Sequence, residues 1–101
     1  MLCYEKRKNG LVVRLSGELD HSEASRLRGE LDALIADTGA RRLILDLNGL
    51  DFMDSSGIGL IIGRYTQMAR RGGSVAVLGP DARIDKIFKM AGLYQLVERL
   101  A

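Results

Sequence analysis

The chain has 101 residues, 47% hydrophobic and 28% charged, with a net charge of +2, a length and balance that suit one globular domain and exclude a disordered tail. Trp is absent and aromatic residues make up 5%, too few for a stacking platform on single-stranded nucleic acid. The basic clusters Lys6-Arg7-Lys8, Arg41-Arg42 and Arg70-Arg71 are scattered among acidic residues, not gathered into the stripe that a nucleic-acid footprint needs.

Residues 2–8 and 11–16 are predicted strands. Asn9-Gly10 is the expected hairpin turn between them, since both central positions of such a turn need positive φ. In the second strand Leu11, Val13 and Leu15 share one face. Gly17-Glu18-Leu19-Asp20 is expected to leave the sheet. From His21 to Asp37 the residues Ala24, Leu27, Leu31, Leu34 and Ile35 recur at spacings of three and four, which predicts a helix with one apolar stripe. Asp20 or Ser22 can cap its start, and Gly39 can end it.

Residues 42–47 are a nearly continuous apolar run, which predicts a central strand covered on both faces. Residues 48–56 then read as a loop. A second helix is expected from about Gly57 to Arg71, with Ile58, Ile61, Ile62, Tyr65, Met68 and Ala69 inside and Gly72-Gly73 as the stop. Residues 74–78 are a buried strand and Gly79-Pro80 a turn. A third helix starts at Asp81 and runs through Ile84, Ile87, Phe88 and Ala91 to Gly92. Residues 93–100 form a short strand or a helical turn. Met53, Met68, Met90, Phe52 and Phe88 are expected core residues. The order predicts an α/β fold: a mixed, mostly parallel sheet with an N-terminal hairpin.

Cys3 and His21 are the single cysteine and histidine, so no internal disulfide can form and too few ligands remain for a metal site. No apolar run approaches the roughly 20 residues of a membrane span, and the first residues carry no apolar signal region. A soluble cytoplasmic protein with no membrane or direct nucleic-acid partner is the expectation.

Loops that follow parallel strands gather at one sheet edge, where ligands and partners bind. Here those loops are 18–22, 50–57 and 79–83. They carry Asp20, His21, Ser22, Asp54, Ser55, Ser56 and Asp81. Asp54-Ser55-Ser56-Gly57-Ile58-Gly59 joins the central strand to the second helix. One serine there is explained as a helix cap. Two serines, followed by two glycines that cost helix stability, also suit a modification site that a partner's backbone approaches closely. A phosphate at this position meets the positive end of a helix dipole and adds roughly −1.5 to −2 charges to the edge.

Rival chemistry is poorly supported. Ser56, His21 and an aspartate can be drawn as a triad, but Asp54 stands where a nucleophile elbow has its first glycine, and His21 reads more simply as a solvated early-helix residue. Gly57, Gly59 and Gly63 make a variant of the dinucleotide fingerprint, but a Walker lysine is lacking. Arg64 reads as a solvated side chain, or as a contact for a partner or a phosphate. Asp46 either ends the central strand facing out or supports the neighbouring loop.

Gly-Glu-Leu-Asp at 17–20, Leu-Ile-Leu-Asp-Leu at 43–47, Leu-Asp-Phe-Met-Asp-Ser-Ser-Gly-Ile-Gly at 50–59, Gly-Arg-Tyr at 63–65 and Lys-Met-Ala-Gly-Leu-Tyr at 89–94 together resemble the STAS domains of anti-sigma factor antagonists. Within them the sporulation stage II subgroup is the most similar. The resemblance covers nearly the whole chain, although family members often continue past its last residue. It implies a single STAS domain over residues 1–101 with about four α-helices. It implies a partner switch: the unphosphorylated antagonist binds an anti-sigma factor that is also a serine kinase, holding ADP or ATP, and a sigma factor is released, with sporulation transcription as the setting. The kinase then phosphorylates the second serine of the motif, Ser56, and a serine phosphatase resets it. Asp20 matches the family's acidic residue near the acceptor. The partner-binding set is Asp20, Ser22, Asp54, Ser55, Ser56, Gly57, Ile58 and Gly59. No cofactor, metal or catalysis of the chain's own is implied, and the free chain is expected to be a monomer. A STAS interaction or nucleotide-sensing module without phosphorylation is the alternative.

Overall fold

Five strands and three α-helices alternate along the chain, followed through residues 2–100 in a computed structural model. Met1 and Ala101, the outer limits of the expected domain, lie outside the described residues. Strands β1 (Leu2–Arg7) and β2 (Gly10–Leu19) form an antiparallel hairpin. Its turn is Lys8-Asn9, one residue earlier than expected, because Gly10 already pairs with Arg7. Asn9 alone takes the positive φ, 64°. Its carbonyl accepts bonds from the amides of Arg41 and Arg42, both 3.2 Å long. The tip of the hairpin is thereby tied to the start of the next strand.

Helix α1 (His21–Thr38), strand β3 (Arg42–Met53), helix α2 (Ser55–Arg70), strand β4 (Ser74–Leu78), helix α3 (Ala82–Met90) and strand β5 (Glu98–Leu100) complete the order. The sheet runs β1-β2-β3-β4-β5, parallel except for the first pair. Two strands outlast the expectation. β2 continues through Gly17–Leu19, and β3 continues through the stretch read as a loop, so that Leu19 pairs with Met53. Register shifts between Arg14 and Ser16 and between Gly17 and Glu18 permit this. Gly17 takes φ +88° at the irregularity, a conformation that residues with a Cβ avoid. Polar residues at a bulge look like a loop in sequence, yet they keep the ladder going.

The register sorts the side chains. Leu11, Leu43 and Val75 lie in one row across the sheet, and Val13, Leu45 and Val77 in another. All six are buried in the core. Sequential strand order with right-handed crossovers puts every helix on that same face. The expectation that β3 is covered on both faces is therefore corrected. Its other face carries Ile44, half-buried, and Asp46, which accepts from Arg14 Nε at 3.2 Å and from Asn48 N at 3.0 Å. Burial pushes the Asp46 carboxyl up, but these bonds outweigh it and hold the group below its ordinary value.

Helix α1 buries Ala24, Leu27, Leu31 and Ile35 as its spacing predicts. Each fully buried leucine contributes about 1.5–3 kcal/mol. Helix α2 is rotated from the expected face: Gly57, Leu60, Ile61, Arg64 and Met68 are buried, while Ile62 is 37% exposed and Ala69 is exposed. The apolar run at 60–62 fits several rotations, and the need to seat Gly57 against the sheet selects one. Met53, Met68 and Phe88 are core residues, whereas Phe52 is 45% and Met90 79% exposed. The C-terminal stretch is both things expected of it, a 3-10 turn at Leu93–Gln95 and then β5. That turn stands in place of a fourth α-helix, because only residues 91–97 separate α3 from β5. Phe88 and Tyr94 meet edge to face at 5.9 Å, and Tyr94 Oη donates to Asp85 at 2.5 Å. Among the described residues no helix is long and apolar enough to cross a membrane.

Candidate functional site

All three helices begin at the same sheet edge, and each is capped by an aspartate. Asp20 accepts from Glu23 N, Asp54 from Ser56 N and Asp81 from Ile84 N. Such caps are each worth about 0.5–2 kcal/mol. This settles the reading of the serine pair. Neither serine caps α2, because Asp54 does so, with its Oδ1 2.8 Å from Ser56 N. Ser55 and Ser56 are the first two residues of the helix itself. Ser55 is exposed and Ser56 half-buried. Ser22, the other cap candidate, lies exposed in the first turn of α1.

Ser56 faces α1. Its Oγ lies 3.3 Å from His21 Nδ1, and the hydroxyl donates when that nitrogen is unprotonated. Reading His21 as a solvated residue missed this contact, because only the parallel packing of α1 and α2 brings the two together. Among the described residues His21 bonds nothing else. It lacks the third group that orients the base of a hydrolytic triad.

The two glycines of the motif separate. A Cβ on Gly57 would stand 2.4 Å from Met53 Cγ and 3.1 Å from Leu19 Cδ2. Gly57 is buried, so it serves packing within the fold and not a partner's approach, which corrects the expectation for that position. Gly59 is exposed with nothing within 4 Å of its Cβ position, as a partner contact requires. Ile58 is half-buried and packs against the core.

Between α1 and α2 runs an open cleft of about 360 Å³. His21, Ser25 and Arg28 line one wall, and Ser56, Gly59 and Arg64 the other. Arg64 is 7% exposed, which corrects its reading as a solvated side chain. Its Nη1 is 3.3 Å from Asp32 Oδ1, yet neither atom is aligned for a hydrogen bond, and Nε also has none. Burial, opposed by the Asp32 charge and reinforced by that of Arg28, lowers the Arg64 pKa from its ordinary value. Among the described residues no cluster of three metal-ligating side chains occurs.

Residues 3–101 match the model of the STAS domain family. The chain is 38% identical over 93 residues to the anti-sigma F factor antagonist of Paenibacillus polymyxa, covering 92% of this chain and 80% of that protein. It is 30% identical over 94 residues to the anti-sigma-B factor antagonist of Bacillus subtilis, covering 93% of this chain and 84% of that one. The solved structure of the anti-sigma factor antagonist SpoIIAA in its unphosphorylated form overlays with a TM-score of 0.86 at 29% identity, over 100% of this chain and 89% of that one. The Bacillus SpoIIAA structure in the phosphorylated form overlays at 0.78 with 29% identity, over 100% and 92%.

Proposed function

Because this chain belongs to the STAS domain family, we propose that it is an anti-sigma factor antagonist whose partner binding is switched by phosphorylation of Ser56. The placement of Ser56 carries the reading. It opens α2 at the sheet edge, borders the cleft, and holds its hydroxyl beside an imidazole. Support also comes from the names of the relatives, and from one structural neighbour being described in a phosphorylated form.

In this reading the chain acts as one domain over residues 1–101, in the cytoplasm and as a monomer when free. Unphosphorylated, it binds an anti-sigma factor that is itself a serine kinase carrying ADP or ATP. The sigma factor, in a sporulation setting, is thereby freed. The partner surface is Asp20, Ser22, Asp54, Ser55, Ser56, Ile58 and Gly59, with Gly57 supporting it from beneath. In the kinase step Ser56 Oγ attacks the γ-phosphorus of ATP. A new O–P bond forms while the bond to the ADP oxygen breaks, and the hydroxyl proton leaves. In this reading His21 Nδ1, 3.3 Å from the hydroxyl, accepts that proton. A serine phosphatase later hydrolyses the ester.

Phosphate turns binding off by adding roughly −1.5 to −2 charges to a surface that must meet the nucleotide-bearing partner. The decisive experiment is incubation with the host's candidate kinase and ATP, followed by mass spectrometry of the peptide spanning Met53 to Arg64. One phosphate on Ser56 is expected. Phosphate on Ser55, or none, overturns the assignment.

A further inference from the structure

The helix mouth itself has little left to offer a phosphate on Ser56. The Ser56 amide is already bonded to Asp54 Oδ1 at 2.8 Å, and the Asp54 carboxylate is a like charge beside it. Ser56 Oγ points away from that cap, toward His21 and into the cleft.

The cleft is unbalanced in charge. Arg28 and Arg64 both line it, close enough that Arg28 disfavours the charged form of Arg64. Arg28 makes no ion pair among the described residues, and Arg64 has only the misaligned Asp32. Two guanidinium groups and an imidazole therefore line the cleft, with the Asp32 carboxylate beside Arg64 and that of Asp54 at the Ser56 amide. A buried guanidinium without hydrogen bonds costs stability unless an anion completes it. Small residues line the cleft on both sides, Ala24 and Ser25 on α1 and, one turn apart, Gly59 and Gly63 on α2. Ser56 and Arg64 are separated by about 12 Å along the axis of α2. Arg64 Nη1 reaches across to Asp32 of α1 at 3.3 Å, while Arg28 and His21 line the α1 wall between Asp32 and Ser56.

We propose that the cleft between α1 and α2 is a phosphate-group site, in which Arg28, Arg64 and His21 receive the phosphoryl group carried by Ser56. The inference rests on Ser56 being the phosphate acceptor. The shared chemistry is a phosphate dianion, whether esterified to Ser56 or belonging to a free phosphate compound. In the phosphorylated chain the group stays at the open mouth of the cleft, on the partner-facing edge, and ion-pairs with α1 from there, so the modification alters that edge and ties the two helices together.

The test is a titration of the unphosphorylated chain with inorganic phosphate at constant ionic strength. It is followed by NMR at the Arg28 and Arg64 Nε–Hε groups and the His21 ring, beside a chloride control. Saturable shifts at these three residues are expected with phosphate alone. Arg28→Gln, an exposed position, should weaken binding about tenfold, equivalent to about 1.4 kcal/mol, without disturbing the rest of the spectrum. The phosphorylated chain should show the same three residues already shifted and no further response. Absence of phosphate-dependent shifts up to tens of millimolar overturns the site, whatever the kinase does. If free phosphate binds equally well to both forms, the cleft serves a free phosphate compound and the capture of phospho-Ser56 is wrong. If the kinase leaves Ser56 unmodified, the reading of Ser56 fails, while the titration still decides the cleft.

Discussion

His21 Nδ1 and Ser56 Oγ stand 3.3 Å apart although 35 residues separate them in the chain. Each sits in the first turn of its helix, and the two helices start side by side because the strands that feed them, β2 and β3, are neighbours in parallel register. The hydroxyl of Ser55, one position earlier, is exposed. Ser56→Ala is accordingly expected to abolish phosphate incorporation by the kinase and Ser55→Ala to leave most of it. His21→Gln should slow incorporation while leaving partner affinity unchanged. Radiolabel incorporation with each variant checks this, and loss of label in Ser55→Ala alone would place the acceptor one residue away.

The two glycines of the motif predict opposite outcomes. Gly57→Ala puts a methyl group 2.4 Å from Met53 Cγ and should destabilise the fold by about 1–3 kcal/mol through overpacking. Gly59→Ala meets nothing within 4 Å and should raise stability by up to about 1 kcal/mol, because alanine is the better helix residue. The same Gly59→Ala should weaken partner binding, since its methyl group lies on the proposed contact surface. Urea melts and calorimetric titration of the two variants separate these effects; equal stability losses would contradict the packing described.

A negative charge at position 56 should weaken binding to the anti-sigma factor. Ser56→Asp is expected to lose at least tenfold in affinity, which requires only about 1.4 kcal/mol, whereas Ser56→Ala keeps it. Asp20→Ala should both weaken binding and lower stability by about 0.5–2 kcal/mol, because Asp20 caps α1 through Glu23 N at 2.9 Å. Titration calorimetry with ADP present is the measurement. Equal affinities for wild type and Ser56→Asp are the result that this switch does not allow.

Stability should respond to pH through Asp85 and Tyr94. The Tyr94 hydroxyl, with Lys89 and Arg99 nearby, holds the Asp85 carboxyl below its ordinary value despite burial. A carboxylate depressed in the folded state contributes stability above its unfolded pKa and loses it as pH falls through the folded one. Tyr94 is pushed up to about 12 by burial and by its bond to Asp85. Its contribution is present below the unfolded value of about 10 and is lost as pH rises toward the folded one. Asp85→Asn should flatten the acid limb of a stability profile, and Tyr94→Phe should remove the tyrosinate absorbance change near pH 12.

Hydrophobic spacing made the helices and the buried rows legible in advance: Leu27, Leu31 and Ile35, or Leu11 and Val13, can occupy only one face of their elements. The length of β2 and β3 was hidden, because Gly17 and Asn48-Gly49 carry turn chemistry while the ladder absorbs them as irregularities. The rotation of α2 was hidden too. Isoleucines at 58, 61 and 62 surround the helix, and only the collision awaiting a side chain at Gly57 decides which of them turn inward. The edge loops and their aspartates were read from strand order alone. His21 was placed at that edge as well, but its contact with Ser56 and the burial of Arg64 were not legible, since neither carries a local signal; each depends on what the neighbouring helix puts beside it.

Strand order that repeats chain order has a consequence for synthesis. A sheet assembled β1-β2-β3-β4-β5 can be laid down in the sequence in which a ribosome delivers it, each new strand docking on the one before. Both helices that frame Ser56 have been made by Arg70. The strands and helices that bring His21 to Ser56 are therefore all delivered before β4, which then completes the core beneath α2 through Val75 and Val77.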